Sequence, residues 1–277
     1  MTSMRSLALA VALTLVHCTT TTTPVSSPLP PCNPGDSILN ATLWMQSAAE
    51  YRAAALQTYA AARRALDEAL ADPAGSALPP AVILDLDETA LDNTPYAARS
   101  IRKGKTFLFD DDWEAWVAES AAEAVPGATE FLVYAKSRGV TPFYITNRGT
   151  DEQAATRANL VNLGFPLGTQ EDTLLVRGAR AEWNTFDKSP RREFVAARYR
   201  VLLFLGDDLN DFTAANGKSA AEREAIVDGA AALWGTRWFV VPNPMYGSWE
   251  SALISATPGS SGTPCEKLRK MVESLRP

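Results

Sequence analysis

Five short apolar runs separated by helical stretches constrain this chain of 277 residues more than any other feature. The runs are Ala81–Leu86, Val140–Ile145, Thr173–Val176, Val201–Leu205 and Trp238–Val241. Between them, residues 112–138 hold two helical patterns broken at Pro126-Gly127, residues 151–163 are helical up to Gly164, and residues 188–198 and 217–234 are helical. Strands spaced by helices cross over rather than turn back, so they pair in parallel. The pattern predicts an α/β fold, a parallel sheet with helices on both faces. Ligands of such sheets bind beyond the carboxyl ends of the strands. The residues that follow each apolar run are therefore the ones to inspect.

Upstream, Trp44, Ala48, Tyr51, Ala55, Tyr59, Ala62, Leu66 and Leu70 recur at helical spacing. That stripe predicts one continuous core-facing helix over 37–72, ended by Asp72-Pro73. We expect it to pack with a small helical cap segment over 96–126.

The first 17 residues carry Arg5 and an apolar run from Leu7 to Val16. That run is too short to span a bilayer and suits a signal peptide. Leu15-Val16-His17-Cys18 resembles a bacterial lipobox, with His17 where Gly, Ala or Ser is usual. It marks Cys18 for lipidation, residues 18–35 as a Thr/Pro-rich tether, and 36–277 as the folded domain. The expected location is the bacterial envelope, as an outer-membrane lipoprotein held by its lipid anchor only. Cys32 and Cys265 are either a disulfide tying the tether to the C-terminus or two free thiols.

His17 is the single histidine of the chain. Once the leader is removed no histidine remains, which excludes Ser-His-Asp catalysis, His-ligated zinc and a His-ligated haem. Acid–base work falls to carboxylates, Lys or Tyr. A net charge of −6 argues against a nucleic-acid partner.

Four polar elements follow the strand pattern in order. Asp85-Leu86-Asp87-Glu88-Thr89 follows the first strand, Thr146-Asn147-Arg148 the second, Lys188 opens the next helix, and Gly206-Asp207-Asp208-Leu209-Asn210-Asp211 follows the fourth strand. Asp85 and Asp207 can jointly hold Mg²⁺, a hard cation that prefers carboxylate oxygens. The ion cancels their repulsion toward an anionic phosphate monoester. Asp85 is then placed to attack phosphorus and form an aspartyl-phosphate. Thr146, with Asn147 beside it, and Lys188 can bind the equatorial oxygens. Asp87, two residues on in an extended segment, shares a face with Asp85 and can protonate the leaving oxygen. Free Asp titrates near about 3.9, so an acid of this kind predicts activity that fades toward alkaline pH.

This set resembles the haloacid dehalogenase superfamily, whose signatures are D-x-D-x-T, Thr, Lys and G-D-x-x-x-D. Asp87 marks its phosphatases and phosphotransferases. Leu43-Trp44-Met45-Gln46, Ala49-Glu50-Tyr51, the stretch Asp85–Tyr96, Asp112-Trp113 with Trp116, Val125-Pro126-Gly127-Ala128 and Pro242–Trp249 resemble the class C acid phosphatases, nearest to the lipoprotein e group of surface 5′-nucleotidases. The likeness covers roughly residues 38–255. It implies an HAD-like fold and Mg²⁺-dependent hydrolysis of phosphomonoesters, including nucleoside 5′-monophosphates, at acidic pH. It implies Asp85 as nucleophile, Asp87 as acid/base, and a metal held by the Asp85 carboxylate, the Asp87 carbonyl and Asp207, with Asp211 orienting a metal water or Lys188. It also implies that Trp113 and Tyr246 stack on the nucleobase, core packing being the bland alternative. The oligomeric state stays open, a dimer among the alternatives.

Two rivals remain at this stage: a phosphotransferase that passes the phosphoryl group to an alcohol, and a surface ligand-binding lipoprotein on the same fold. Weaker signals read as structure. Gly217-Lys218-Ser219 lacks the first glycine of a P-loop, Phe212 standing in its place. Asp110-Asp111-Asp112 suits a helix N-cap. Asp208 stands where Asn is common and adds charge near the metal. Arg148 either meets phosphate or pairs with a surface acid, and Asp92 and Asn93 either brace the loop after the nucleophile or form a plain turn.

Overall fold

In chain order the strands are β1 (Pro80–Leu84), β2 (Leu91–Asp92), β3 (Glu123–Ala124), β4 (Thr141–Gly149), β5 (Leu174–Arg177), β6 (Arg200–Gly206) and β7 (Trp238–Val240). The helices are α1 (Asp36–Ser47), α2 (Ala49–Ala71), α3 (Thr94–Arg102), α4 (Asp111–Ala118), α5 (Ala128–Ser137), α6 (Gln153–Asn162), α7 (Ser189–Ala196), α8 (Ala220–Gly229), α9 (Ser248–Ile254) and α10 (Pro264–Glu273). The structure, a computed structural model, describes residues 32–72, 77–107, 109–168, 172–254 and 262–276. The leader, Cys18 and most of the expected tether lie outside the described residues. Asn33, Pro34 and Gly35, read as tether, form a turn closed by Asp36 N–H to Asn33 O at 3.0 Å. Cys32 and Cys265 are both disulfide-bonded. No described helix is long and apolar enough to cross a membrane.

The five expected strands form one parallel sheet in the order β5-β4-β1-β6-β7. Successive side chains of a strand face opposite ways, and β1 shows the consequence. Val82 and Leu84 join the larger core with α2 and α5, where Tyr59, Leu66, Phe131 and Leu132 are buried. Ala81 and Ile83 join the smaller core on the other face, with Phe143, Trp183 and Val195 of α7. Both faces are covered, so β1 is apolar throughout rather than alternating. Truncating a core side chain such as Leu84 to Ala should cost about 2–5 kcal/mol.

Two features depart from the periodicity. The helix expected over 37–72 is broken at Ala48, whose ψ of 128° is extended. Ahead of the break the buried residues are Ile38, Thr42 and Met45, not Trp44, which is half-exposed. The break rotates α1 onto α3 and lets Thr42 Oγ1 donate to Met245 Sδ at 3.4 Å. Alanine carries no breaking signal, so spacing alone extends the helix through it. The other departure is a small antiparallel pair, β2 with β3, which ties the segment after Asp85 to the segment before α5. The start of α5 depends on Gly127: its φ is 93°, and a Cβ there would lie 3.1 Å from Tyr59 Cβ.

Candidate active site

The chain runs from β1 outward to β4 and β5, then returns to β6 on the other side of β1. The crevice at that reversal is where open α/β sheets bind ligands. Leu84 is level with Tyr144 of β4 and Leu205 of β6. Asp85 follows immediately, its N–H bonded to Leu205 O at 3.1 Å. Asp207 follows β6, and Asp211 returns to the same point through a short 3-10 turn, Leu209–Asp211. Gly206 permits that return, because a Cβ there would overlap the Asp211 side chain. Asp208 N–H donates to Asp211 Oδ2 at 2.9 Å and fixes it.

Asp85, Asp207 and Asp211 each offer a carboxylate oxygen, and the three lie within 4.8 Å of one another. Lys188 joins them: its Nζ bonds Asp211 Oδ1 at 2.6 Å and also bonds Asp85 Oδ1. Thr89 Oγ1 and Asn243 Nδ2 donate to the two oxygens of Asp207 at 3.0 and 2.8 Å. Three buried or partly buried carboxylates thus face one ammonium. Burial, then Asp211 and Asp87, push the Asp85 carboxyl up to about 7 against the pull of Lys188. Burial also raises Asp207 well above the usual range, helped by Asp211 and Asp85, and raises Asp211. Lys188 is raised despite its burial, because Asp211 and Asp85 hold its charge. The surplus negative charge on an all-oxygen donor set suits a hard divalent cation. The residues fit a metal of the Mg²⁺ kind.

The Asp87 carboxylate stands outside this cluster. Its Oδ1 accepts from Arg148 Nη2 at 2.7 Å and from Asn93 Nδ2 at 3.0 Å, and its Oδ2 from Thr146 Oγ1 at 3.4 Å. Arg148 is buried, also donates to Thr156 and Asn93, and lies 5.3 Å over the Trp113 ring. It pairs with an acid of the site, not of the surface. Asn93 also accepts from Trp116 Nε1 at 2.9 Å and, through its backbone N–H, donates to Glu88 at 2.9 Å. Glu88 is fully buried with φ 58°, and burial followed by the Asp87 charge raises it well above the usual carboxyl range. It takes a hydrogen bond from the Tyr246 hydroxyl. Glu88, Asn93 and Arg148 therefore form the frame around Asp87. The sequence left Asn93 between bracing and a plain turn and Arg148 between phosphate and a surface acid, and it left Glu88 without a role.

Asn147 lies at the cavity with its side chain engaged: Nδ2 donates to Phe186 O at 3.2 Å, and Oδ1 accepts from Arg191 Nη2 at 2.6 Å. Asp208 is not one of the converging carboxylates, but its charge helps burial to raise Asp211. Its carboxylate receives Asn210 N–H at 2.9 Å and Ser248 N–H at 2.7 Å. Asp110 caps α4 by accepting from Asp112 N–H at 3.1 Å.

Above the carboxylates a cavity of about 560 Å³ opens, walled by Phe107, Phe109, Trp113 and Tyr246. Trp113 is 4% exposed, with its indole N–H on Glu152 at 2.7 Å. Phe107 lies against Tyr246, centroids 4.1 Å apart. Phe109, 64% exposed, stands edge-on to Trp113 and Tyr246 at 5.0 and 5.7 Å. Sequence reading picked out Trp113 and Tyr246 but missed Phe107 and Phe109, which sit in the loop between α3 and α4, where no periodicity marks them.

A parallel α/β sheet that gathers aspartates and a lysine at its central strand ends defines the phosphoryl-transfer class of the HAD superfamily. The family described as HAD superfamily, subfamily IIIB (Acid phosphatase) matches residues 5–249, and the chain belongs to it. The fold is similar to the class C acid phosphatase of Bacillus anthracis, with a TM-score of 0.80 and 38% identity over 89% of this chain and 99% of that one. A structure of the Bacillus anthracis enzyme with tungstate bound matches at TM-score 0.79 and 38% identity, over 88% and 98% of the two chains. Acid phosphatase 1 of Solanum lycopersicum is 29% identical over 59% of this chain, and the chain spans 57% of that protein's length.

Proposed function

We propose that this protein is a Mg²⁺-dependent acid phosphatase that hydrolyses phosphomonoesters, nucleoside 5′-monophosphates among them, outside the cytoplasmic membrane. The observation that carries the reading is the convergence of the Asp85, Asp207 and Asp211 oxygens on one point, with Lys188 beside them. Asp85, Asp207 and the Asp87 carbonyl would hold the ion, with Asp211 fixing Lys188. When bound, the ion supplies positive charge to the phosphate and offsets the carboxylates.

The remaining chemistry belongs to the chain. Lys188 holds one Asp85 oxygen, which aims the other at phosphorus. That oxygen forms the new P–O bond while the ester P–O bond breaks, and Asp87 gives its proton to the leaving alkoxide. Water then attacks the aspartyl-phosphate, Asp87 takes a proton back, and phosphate leaves. Thr146, Asn147 and Lys188 bind the equatorial oxygens as charge shifts onto them. Arg148 and Asn93 hold the Asp87 carboxylate in place. Tungstate, bound by the Bacillus relative, is a tetrahedral oxyanion like phosphate, which supports an oxyanion pocket here.

The aromatic wall supports an aromatic leaving group, since any nucleobase offers a π-face. Phe109 is the most accessible ring, with Trp113 and Tyr246 behind it. Export and lipidation at Cys18 rest on the leader sequence, and the disulfide-bonded state of Cys32 and Cys265 supports an oxidising compartment.

The test is phosphate release from a panel of nucleoside monophosphates and sugar phosphates, with Mg²⁺ and with EDTA. Release that needs Mg²⁺ and is fastest on nucleotides is the expected result. No release from any of them, or release indifferent to EDTA, rejects the reading. Loss of membrane association on Cys18→Ala tests the anchor separately.

A further inference from the structure

The cations around the cavity are not equivalent. Lys188 is bonded to Asp85 and Asp211, Arg148 to Asp87, and Arg191 to Thr146 O and Asn147 Oδ1. Arg177, the last residue of β5, is different. Its Nε donates to Asn147 O at 3.1 Å, and its guanidinium lies over the Phe186 ring, Cζ 4.8 Å from the centroid. Among the described residues its two terminal nitrogens meet no acceptor and it forms no ion pair. One bond and one stacked ring fix the plane of the guanidinium and leave its two-pronged edge open. That edge is the shape that grips a phosphate or carboxylate in bidentate fashion.

The surroundings favour the same reading. Arg177, Phe186 and Asn147 line the cavity that contains Asp85 and Asp87. Phe186 is 62% exposed, though its carbonyl is tied down by Asn147, so an apolar ring is held at the surface beneath the arginine. Glu114, Asp151, Glu152 and Glu250 also line the cavity, and none of them pairs with Arg177. Strand β5 lies two strands from β1, roughly 10 Å at the backbone, and the bond to Asn147 O turns the Arg177 side chain toward β4 and so shortens that gap. A single sugar or nucleoside unit spans that gap.

We propose that Arg177, stacked on Phe186, is a second anion subsite that selects phosphomonoesters carrying a further phosphate or carboxylate. The proposal rests on the phosphomonoesterase reading above and names a substrate class for it. Such a substrate places one phosphate at Asp85 and its second anionic group on the Arg177 edge. Its attraction there is electrostatic and partly exposed, so it weakens as salt rises.

The test compares kcat/KM for a nucleoside 3′,5′-bisphosphate with that for the matching 5′-monophosphate, in the full chain and in R177A and R177K. The wild type should favour the bisphosphate by about tenfold at low salt, the worth of one charge-assisted bidentate contact. R177A should bring the ratio close to unity. R177K keeps the charge but not the stacked fork, so its ratio should fall severalfold, and it preserves the test if R177A fails to fold. An equal rate on both substrates in the wild type, or a ratio untouched by either substitution, overturns the subsite and leaves the phosphatase standing. Release of phosphate from neither substrate overturns the phosphatase reading, and the subsite with it.

Discussion

On the floor of the cavity each charged group is held by a partner that the sheet brings to it. Lys188 bridges Asp85 and Asp211, and Thr89 and Asn243 hold Asp207. On the aromatic wall the rings pack on one another, only their polar tips are tied, Trp113 to Glu152 and Tyr246 to Glu88, and Phe109 remains open to solvent. On the proposed function the difference separates chemistry from selection. A floor of buried charges tolerates little displacement, because each carboxylate left without its partner keeps its desolvation cost. A wall of rings offers area and π-faces, and its loss weakens binding by degrees.

The sharpest way to break that contrast is at the floor. On the proposed mechanism Asp85→Asn replaces the attacking carboxylate with a neutral amide and should lower kcat by about 10⁴-fold or more. A variant that retained a tenth of the activity would move the nucleophile elsewhere. Lys188→Met should follow, with a loss of about 10²–10³-fold in kcat. It also strands Asp85 and Asp211, and chemical denaturation of the metal-free variant should show a loss of about 3–5 kcal/mol. An unchanged unfolding midpoint would mean the carboxylates do not depend on the lysine.

Arg148→Gln sits between floor and wall, since the arginine bonds Asp87 and lies over Trp113. Misplacing an acid by about 1 Å costs on the order of 10²-fold, so single-turnover rates should drop by that much while the fold persists. Circular dichroism of the variant separates this from unfolding.

Metal removal should reveal the same floor without any substrate. The folded Asp85 carboxyl titrates at about 7, against 3.8 for an ordinary aspartate. A folded value raised above the unfolded one contributes stability that is complete below the unfolded value and is lost as pH rises through the folded one. Asp207 and Asp211 shift in the same direction. In EDTA the Tm should fall between about pH 4 and pH 7, and Mg²⁺ should restore more of it the higher the pH. A Mg²⁺ shift of Tm that shrank with pH would place the ion away from these carboxylates.

The smallest effect belongs to the wall. Phe109→Ala should raise KM for nucleoside monophosphates about fivefold more than KM for glycerol phosphate, on the scale of one base stacked on one ring. Equal effects on both substrates would show that Phe109 packs the loop between α3 and α4 rather than meeting a base.

Much of the floor was legible before any coordinates. The apolar runs announce the strands, and parallel sheets put chemistry just past their ends, so Asp85, Thr146, Lys188 and Asp207 could be singled out in order. The break at Ala48 could not, because alanine favours helix interiors and gives no capping signal. Arg148 left two partners open, and only the approach of β4 to the loop after β1 chose Asp87. Phe107 and Phe109 were silent, since a loop has no period to betray which side chains face inward.

By itself, then, the order of residues along this chain determined the layered sheet and the acids at its edge, because those depend on local spacing and composition. The tertiary structure alone decided which charges meet, which rings form the wall and that Arg177 lies over Phe186. Those facts depend on residues distant in sequence, such as Asp85 and Lys188 or Glu88 and Tyr246, and no local pattern records how a folded chain pairs them.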